Sequence, residues 1–374
     1  MIRSGKNNGN SNWGTSGFSV IPCLNGENYN PGGSASVDNR KALWMKQERY
    51  RDDSREILSE LMQQPQALKD LSAFYCGEQG HELLAKHSTG GRLLFCGAGS
   101  DFYLADLAVQ QCCQAGVDAR AIEPGELAQW PVGLLAQYSQ IFYISPSGND
   151  LEKNFLLERL APMRVGALTN NPDGELARRA AFTLPLFAGL EKWLGSKSFL
   201  NGGALLWLFS RHLSRRVDGS EAEQLKHLRQ RVQLMLDGKE ALSEQWQNCL
   251  AGADHFIFTG TGLQTLAAAQ TELFLAGWAG IHANAIGWSA LEQGYTDFSG
   301  ADCAVIDFQA SGNPKEKTEP FWRDMANKEV HCIRVVDGFP QSVTDPQRPT
   351  VGLEPGLAVL LNVLSGQLLA ALHL

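Results

Sequence analysis

A chain of 374 residues, 44% apolar and 19% charged, is long enough for two hydrophobic cores and has the composition of a globular protein. Its net charge of −8 argues against nucleic acid or an anionic membrane as a main partner. The eight cysteines include no Cys-x-x-Cys pair and the eight histidines no His-x-x-x-His, so no metal centre is expected.

Residues 1–44 are rich in Asn, Gly and Ser, as in Asn7-Asn8-Gly9-Asn10, and show no apolar period. They read as a disordered tail, a remnant of an expression vector, or translation from too early a start. Met45 is the natural beginning of the folded part. From there the spacing of Tyr50, Ile57, Leu58, Leu61 and Met62 predicts a helix, broken at Pro65, and helices continue from Gln66 to Lys86. Strands are expected at Arg92–Cys96, Asp118–Ile122, Gln140–Ile144, Val165–Thr169 and Phe182–Pro185, with helices between them, including one over Leu151–Leu160. Strands that alternate with helices predict a doubly wound parallel sheet covered on both faces. A long apolar helix is expected over Lys192–His212. Two charged helices, Ser220–Leu236 and Lys239–Leu250, read as a layer linking two domains.

The run Gln140-Ile141-Phe142-Tyr143-Ile144 ends in Ser145-Pro146-Ser147-Gly148-Asn149-Asp150. A buried strand that feeds a hydroxyl-rich turn and then a helix start gathers small side chains and free backbone N–H groups. The helix dipole there favours negative charge. The turn is read as an anion cradle, with an ordinary strand-to-helix connection as the plainer reading.

The pattern then recurs. Phe95-Cys96-Gly97-Ala98-Gly99 is matched by Phe258-Thr259-Gly260-Thr261-Gly262, and Ser147-Gly148-Asn149 by Ser311-Gly312-Asn313. Gly97 lies 50 positions before Ser147, and Gly260 lies 51 before Ser311. Nearly equal separations point to a duplicated α/β domain. The expected organisation is a tail (1–44), a first domain (45–218), a helical linker (219–250) and a second domain (251–374). Each domain is read as a three-layer sandwich on a doubly wound parallel sheet, with a helical N-terminal segment. The last apolar helix, Leu357–Leu372, is expected on the second sheet or at a subunit interface. No signal peptide is visible, and no apolar run reads as long enough to span a bilayer. A reducing cytoplasm is the expected location.

Gly97-Ala98-Gly99-Ser100-Asp101, Ser145-x-Ser147-Gly148-Asn149-Asp150, Thr169-Asn170-Asn171-Pro172 and Gly195-Ser196-Lys197-Ser198-Phe199 occur in that order. The chain from Met45 onward resembles the tandem sugar isomerase (SIS) domain proteins. These include the isomerase half of glucosamine-6-phosphate synthase and related phosphosugar isomerases and deglycases. The resemblance implies a homodimer that binds a sugar phosphate and needs no cofactor. It places Ser145 and Ser147 on phosphate oxygens, with Ser100, Asp101, Asn149, Asp150, Ser196 and Lys197 as further substrate contacts. Asp101 and Asp150 stand where the family has hydroxyl residues, so they add negative charge beside that phosphate.

The resemblance also implies a catalytic set that this chain lacks. Laying Ile281-His282-Ala283 on the family's Ile-His-Ala puts Gln270, Phe274 and Gly277 on its Glu-x-x-x-Lys-x-x-Glu helix face, and Gln293 at its histidine. Glu272, Glu292 and His282 remain as candidate acid/base groups. Two functions follow from the resemblance. One is an isomerase, deaminase or deglycase working through an open-chain sugar. The other is a binding or regulatory protein that has lost the acid/base set.

Overall fold

The computed structural model describes residues 53–149, 158–160, 163–294, 302–310, 319–343 and 352–372. The expectations for 1–44, for Asp150, for most of the helix over Leu151–Leu160 and for Ser311–Asn313 lie outside the described residues.

The first sheet contains β1 (Leu93–Cys96), β2 (Ala119–Ile122), β3 (Gln140–Ile144), β4 (Val165–Thr169) and β5 (Phe182–Pro185). All five are parallel, in the order β2-β1-β3-β4-β5. Every residue of β1, β3 and β4 is buried, which explains why they read as unbroken apolar runs. Phe95, Phe142, Ile144, Leu168 and Leu184 face the main core, and Phe95 stacks on Phe142 at 4.8 Å. Leu94, Cys96, Ile141, Tyr143 and Ala167 face a second cluster on the other side. The sheet is thus the middle of three layers.

The second sheet contains β6 (His255–Gly260), β7 (Asn284–Ala285), β8 (Cys303–Gln309), β9 (His331–Val336) and β10 (Phe339–Ser342). Its order, β7-β6-β8-β9-β10, repeats that of the first sheet strand for strand. The duplication expected from the recurring loops is therefore present in the topology.

One strand breaks the expected parallel pattern. β10 runs antiparallel to β9, whereas β5 is parallel to β4. The reason is the length of the connection. The helix Glu175–Arg179 lies between β4 and β5. Only Asp337-Gly338 lies between β9 and β10, both at positive φ (51° and 89°), as a tight hairpin turn requires.

Four helices fill the space between the sheets: Ser100–Gln114, Ser198–Leu213, Gln264–Phe274 and Pro355–Leu372. Pro355–Leu372 packs on both Ser198–Leu213 and Gln264–Phe274, and it is buried from Gly356 through Ala371. A helix that is apolar all round belongs in a core. It is also long and apolar enough to cross a membrane, contrary to the expectation that no run is, yet here it is enclosed by protein. Helix Glu221–Asp237 lies against Gln64–Tyr75 and Pro355–Leu372. Contacts join the described residues into one unit.

Two local departures matter for the site. The helix expected from Lys192 begins only at Ser198, so residues 186–197 form a loop after β5. Helix Gln264–Phe274 continues as a π-helical turn, Leu275–Ala279, which ends at Gly280 in the left-handed conformation (φ 64°). Ile281–Ala283 is therefore a connection, and the strand there is only Asn284–Ala285.

Candidate functional site

A cleft of about 790 Å³ opens at the C-terminal ends of β1, β3, β4 and β5. β1 and β3 are neighbours whose connections leave in opposite directions, toward β2 and toward β4. Such a switch point is where open α/β sheets bind ligands.

One wall is the turn after β3. Ser145 N–H donates to Leu168 O at 2.9 Å, which extends the sheet by one residue. Gly148, at φ 66°, donates its N–H to Ser145 O (3.1 Å) and Oγ (3.3 Å). Asn149 N–H donates to Ser147 Oγ at 3.4 Å.

The end of β4 braces this turn from below. Thr169 Oγ1 donates to Pro146 O and accepts from Asn171 N–H, both at 3.1 Å. Asn171 Nδ2 donates to Ser147 O at 3.1 Å. Gly148 is favoured by its positive φ, and a Cβ there would also sit tightly against Thr169 Oγ1, at 3.0 Å. The turn is held in one shape before any ligand arrives.

The facing wall is the loop after β5, which contributes Gly189, Leu190, Glu191, Lys192 and Leu194. Glu191 Oε2 accepts the N–H groups of Lys197 (3.0 Å) and Ser198 (2.9 Å), and Ser198 Oγ donates to Oε1. This carboxylate therefore takes the positive end of helix Ser198–Leu213 for itself. Lys192 lines the cleft but pairs with Glu56.

Of the residues expected to touch substrate, Asp101, Ser145, Ser147 and Asn149 line the cleft. Three others do not. Ser100 is 1% exposed and accepts a hydrogen bond from Gln270 Nε2 at 2.8 Å. Ser196 is fully buried, with Oγ donating to Glu60 Oε2 at 2.5 Å. Lys197 is 2% exposed, and its Nζ donates to Leu190 O (2.5 Å) and Gln63 Oε1 (3.0 Å). Ser196 and Lys197 tie the loop to the N-terminal helices.

None of the candidate acid/base groups lines the cleft. Glu292 and His282 are exposed. Glu272 is half-buried and accepts Ala285 N–H at 3.2 Å. Tyr103, on helix Ser100–Gln114, has its pKa raised by burial and then by the negative charges of Glu272 and Glu123. Gln270, on the family's catalytic helix face, is wholly buried and bridges the two halves through Ser100.

Asn170, Asn171 and Glu191 were not among the expected site residues. Asn170 Oδ1 accepts Ala188 N–H at 2.9 Å, joining the two walls, and its buried Nδ2 has no partner. Its place after β4 was the available signal. For Glu191 the signal was an acid shortly before the Ser196–Ser198 helix start. The wall-to-wall arrangement offers hydroxyls and amides, with two acids, Asp101 in the first turn of helix Ser100–Gln114 and Glu191 at the start of helix Ser198–Leu213, also lining the cleft. It suits a small polyhydroxylated ligand with an anionic group on the Ser145–Asn149 turn. Among the described residues, no cluster of three or more His, Cys, Asp or Glu could hold a metal.

No protein-family model matches the chain. Among curated proteins, the glutamine–fructose-6-phosphate aminotransferase of Lactiplantibacillus plantarum is 24% identical over 331 residues, covering 84% of this chain and 54% of that protein. The Streptococcus pyogenes protein of the same name is 23% identical over 298 residues, covering 75% of this chain and 49% of its own length. The chain thus spans about half the length of the curated relatives it matches.

Solved structures share the fold. The C-terminal domain of the Francisella tularensis glucosamine-fructose-6-phosphate aminotransferase superposes with a TM-score of 0.72 at 17% identity, covering 84% of this chain and 94% of that one. The Escherichia coli tagatose-6-phosphate ketose/aldose isomerase gives 0.64 at 15%, covering 84% and 92%. In its loops, its duplicated sheets and these likenesses, the chain is a relative of the SIS-domain phosphosugar isomerases and resembles the isomerase half of glucosamine-6-phosphate synthase.

Proposed function

We propose that the cleft binds a phosphorylated sugar, with the phosphate on the Ser145–Asn149 turn and the sugar toward Asp101, Asn170 and Asn171. The observation that carries this reading is the turn itself. It is braced by Thr169 and Asn171, closed by a left-handed Gly148, and open to a cleft at the sheet's switch point. The reaction that goes with it is isomerisation, deamination or deglycation through an open-chain sugar, without a metal or organic cofactor. The working form would be a cytoplasmic homodimer.

A second reading, a sugar-phosphate sensor without catalysis, is favoured by one observation. Glu272, His282 and Glu292 all lie off the cleft, and Gln270 is committed to Ser100. The two readings part in a simple experiment. Thermal shift against a panel of hexose and amino-sugar phosphates identifies the best binder. That binder is then followed for proton exchange at C1 and C2 in deuterated water. Exchange identifies an enzyme, and saturable binding without exchange identifies a sensor. In either case Ser147→Ala should weaken binding about tenfold, the size of one lost hydrogen bond to a charged group. Unchanged affinity in that variant, or no binding across the panel, would end the assignment.

A further inference from the structure

The loop after β5 carries two leucines into the cleft with their side chains in the open. Leu190 is 97% exposed and Leu194 51%. Among the described residues the large apolar side chains left exposed are Met62, Val132, Leu190, Leu194 and Leu234. Two of these five line this one cleft.

Their exposure does not come from a loose backbone. Ala188 N–H is held by Asn170 Oδ1, Leu190 O by Lys197 Nζ, and Lys192 and Trp193 N–H by the Glu60 carboxylate. Between them Glu191 is fixed to the helix start. The loop is thus held on either side of Leu190 and Leu194, which line the cleft as an apolar shelf. The polar turn at Ser145–Asn149 lines the same cleft.

The volume has the same implication. About 790 Å³ lies in the upper part of the range, roughly 300–1,000 Å³, that encloses drug-sized molecules. A hexose phosphate alone is smaller than that and has no apolar end to meet a leucine.

We infer that the cleft is built for a phosphorylated sugar carrying an apolar substituent, with the substituent resting on Leu190 and Leu194. The inference rests on the sugar-phosphate reading above and narrows it to a substrate class. Burying apolar surface of ligand and leucine together supplies the affinity, and the polar turn fixes the orientation.

The test is a ligand series: fructose 6-phosphate and its 1-amino-1-deoxy derivatives bearing hydrogen, methyl, butyl or benzyl on nitrogen. Isothermal titration of the wild-type protein should show affinity rising along the series by about tenfold or more from hydrogen to benzyl. In Leu190→Ser and Leu194→Ser that gain should shrink toward none, while a cooperative melt shows that the variants fold. Equal affinity across the series in the wild type would overturn the inference while leaving the sugar-phosphate reading intact. No binding by any member would instead remove that reading. Sedimentation velocity provides a further check. If either leucine variant changes the mass of the assembly, the shelf is a contact with a second copy of the chain, and the inference falls.

Discussion

Asp307 and Arg334 face each other across β8 and β9, with Thr259 and Gln341 in register on either side, so one polar row crosses the second sheet. Asp307 is 3% exposed, and burial pushes its carboxyl from 3.8 up to about 7, against the hydrogen bond from Gln309 and the charge of Arg334. The folded state therefore keeps a proton that the unfolded chain gives up near pH 4. Its contribution is full below that value and is lost as pH rises through about 7. His87 slopes the other way. Burial, with Arg164 and Lys86, lowers it from 6.5 to about 4, so its contribution is full above 6.5 and is lost as pH falls toward 4. The two oppose each other over one window, and wild-type stability alone would hide both. Asp307→Asn removes one of them. Urea unfolding should find that variant better placed against wild type at pH 7 than at pH 5 by about 2 kcal/mol. An unchanged difference would mean that Asp307 titrates normally. At this scale the sequence was informative only in part. Ser145, Ser147 and Asn149 were legible as cleft-lining residues because a turn that closes a buried parallel strand lies at the C-terminal edge of the sheet. Ser196 and Lys197 were not, because a Ser-Lys helix start looks the same whether it meets a ligand or, as here, buried acids and carbonyls of its own chain.

The strands of the first sheet were legible almost residue for residue, and most plainly β1, β3 and β4, because a strand buried on both faces reads as a continuous apolar run. Helix starts were less so. Ser198–Leu213 begins where the side chain of Glu191, seven residues earlier, caps it, and an acid that far ahead of a helix start is only a weak signal. The hairpin β9–β10 was not read from the sequence, although Asp337-Gly338 is a strong turn signal. Helix packing was beyond reach of the sequence. Gly366, on helix Pro355–Leu372, lies against Thr271 of helix Gln264–Phe274. A Cβ there would be 2.0 Å from Thr271 Oγ1 and 2.9 Å from its Cβ. Gly366→Ala should therefore destabilise the protein by about 1–3 kcal/mol, although alanine is the better helix former. Thr271→Ala in the same chain should recover part of that loss, because the nearest atom is gone. The double-mutant cycle by urea unfolding should give a coupling of about 1 kcal/mol. Strict additivity would show that the two helices are not in contact at this point.

Two domains were expected from length and from the recurring loops, and two sheets of one topology are present. Whether each half stands alone is a separate matter, decided by what lies between the sheets. Helix Ser198–Leu213 follows the first sheet in the chain, yet Gly203 packs against Leu360 and Gly356 against Trp207 of that helix. Arg211 joins Glu221 and Glu354, and Gln64 joins Gln367, so helix Gln64–Tyr75 and the last described helix share polar contacts as well. The main core draws on both sheets and on all four central helices. Separating the halves would expose the apolar sides of Ser198–Leu213 and Pro355–Leu372 together, a loss too large for a domain of ordinary stability, about 5–15 kcal/mol, to absorb. Calorimetry of the whole chain should accordingly show one transition whose calorimetric and van't Hoff enthalpies agree. A fragment ending at residue 250 should bind a hydrophobic dye and lack a cooperative melt. Two resolved transitions, or a fragment that melts cooperatively, would show that the halves are independent and that the central helices are an interface rather than a shared core.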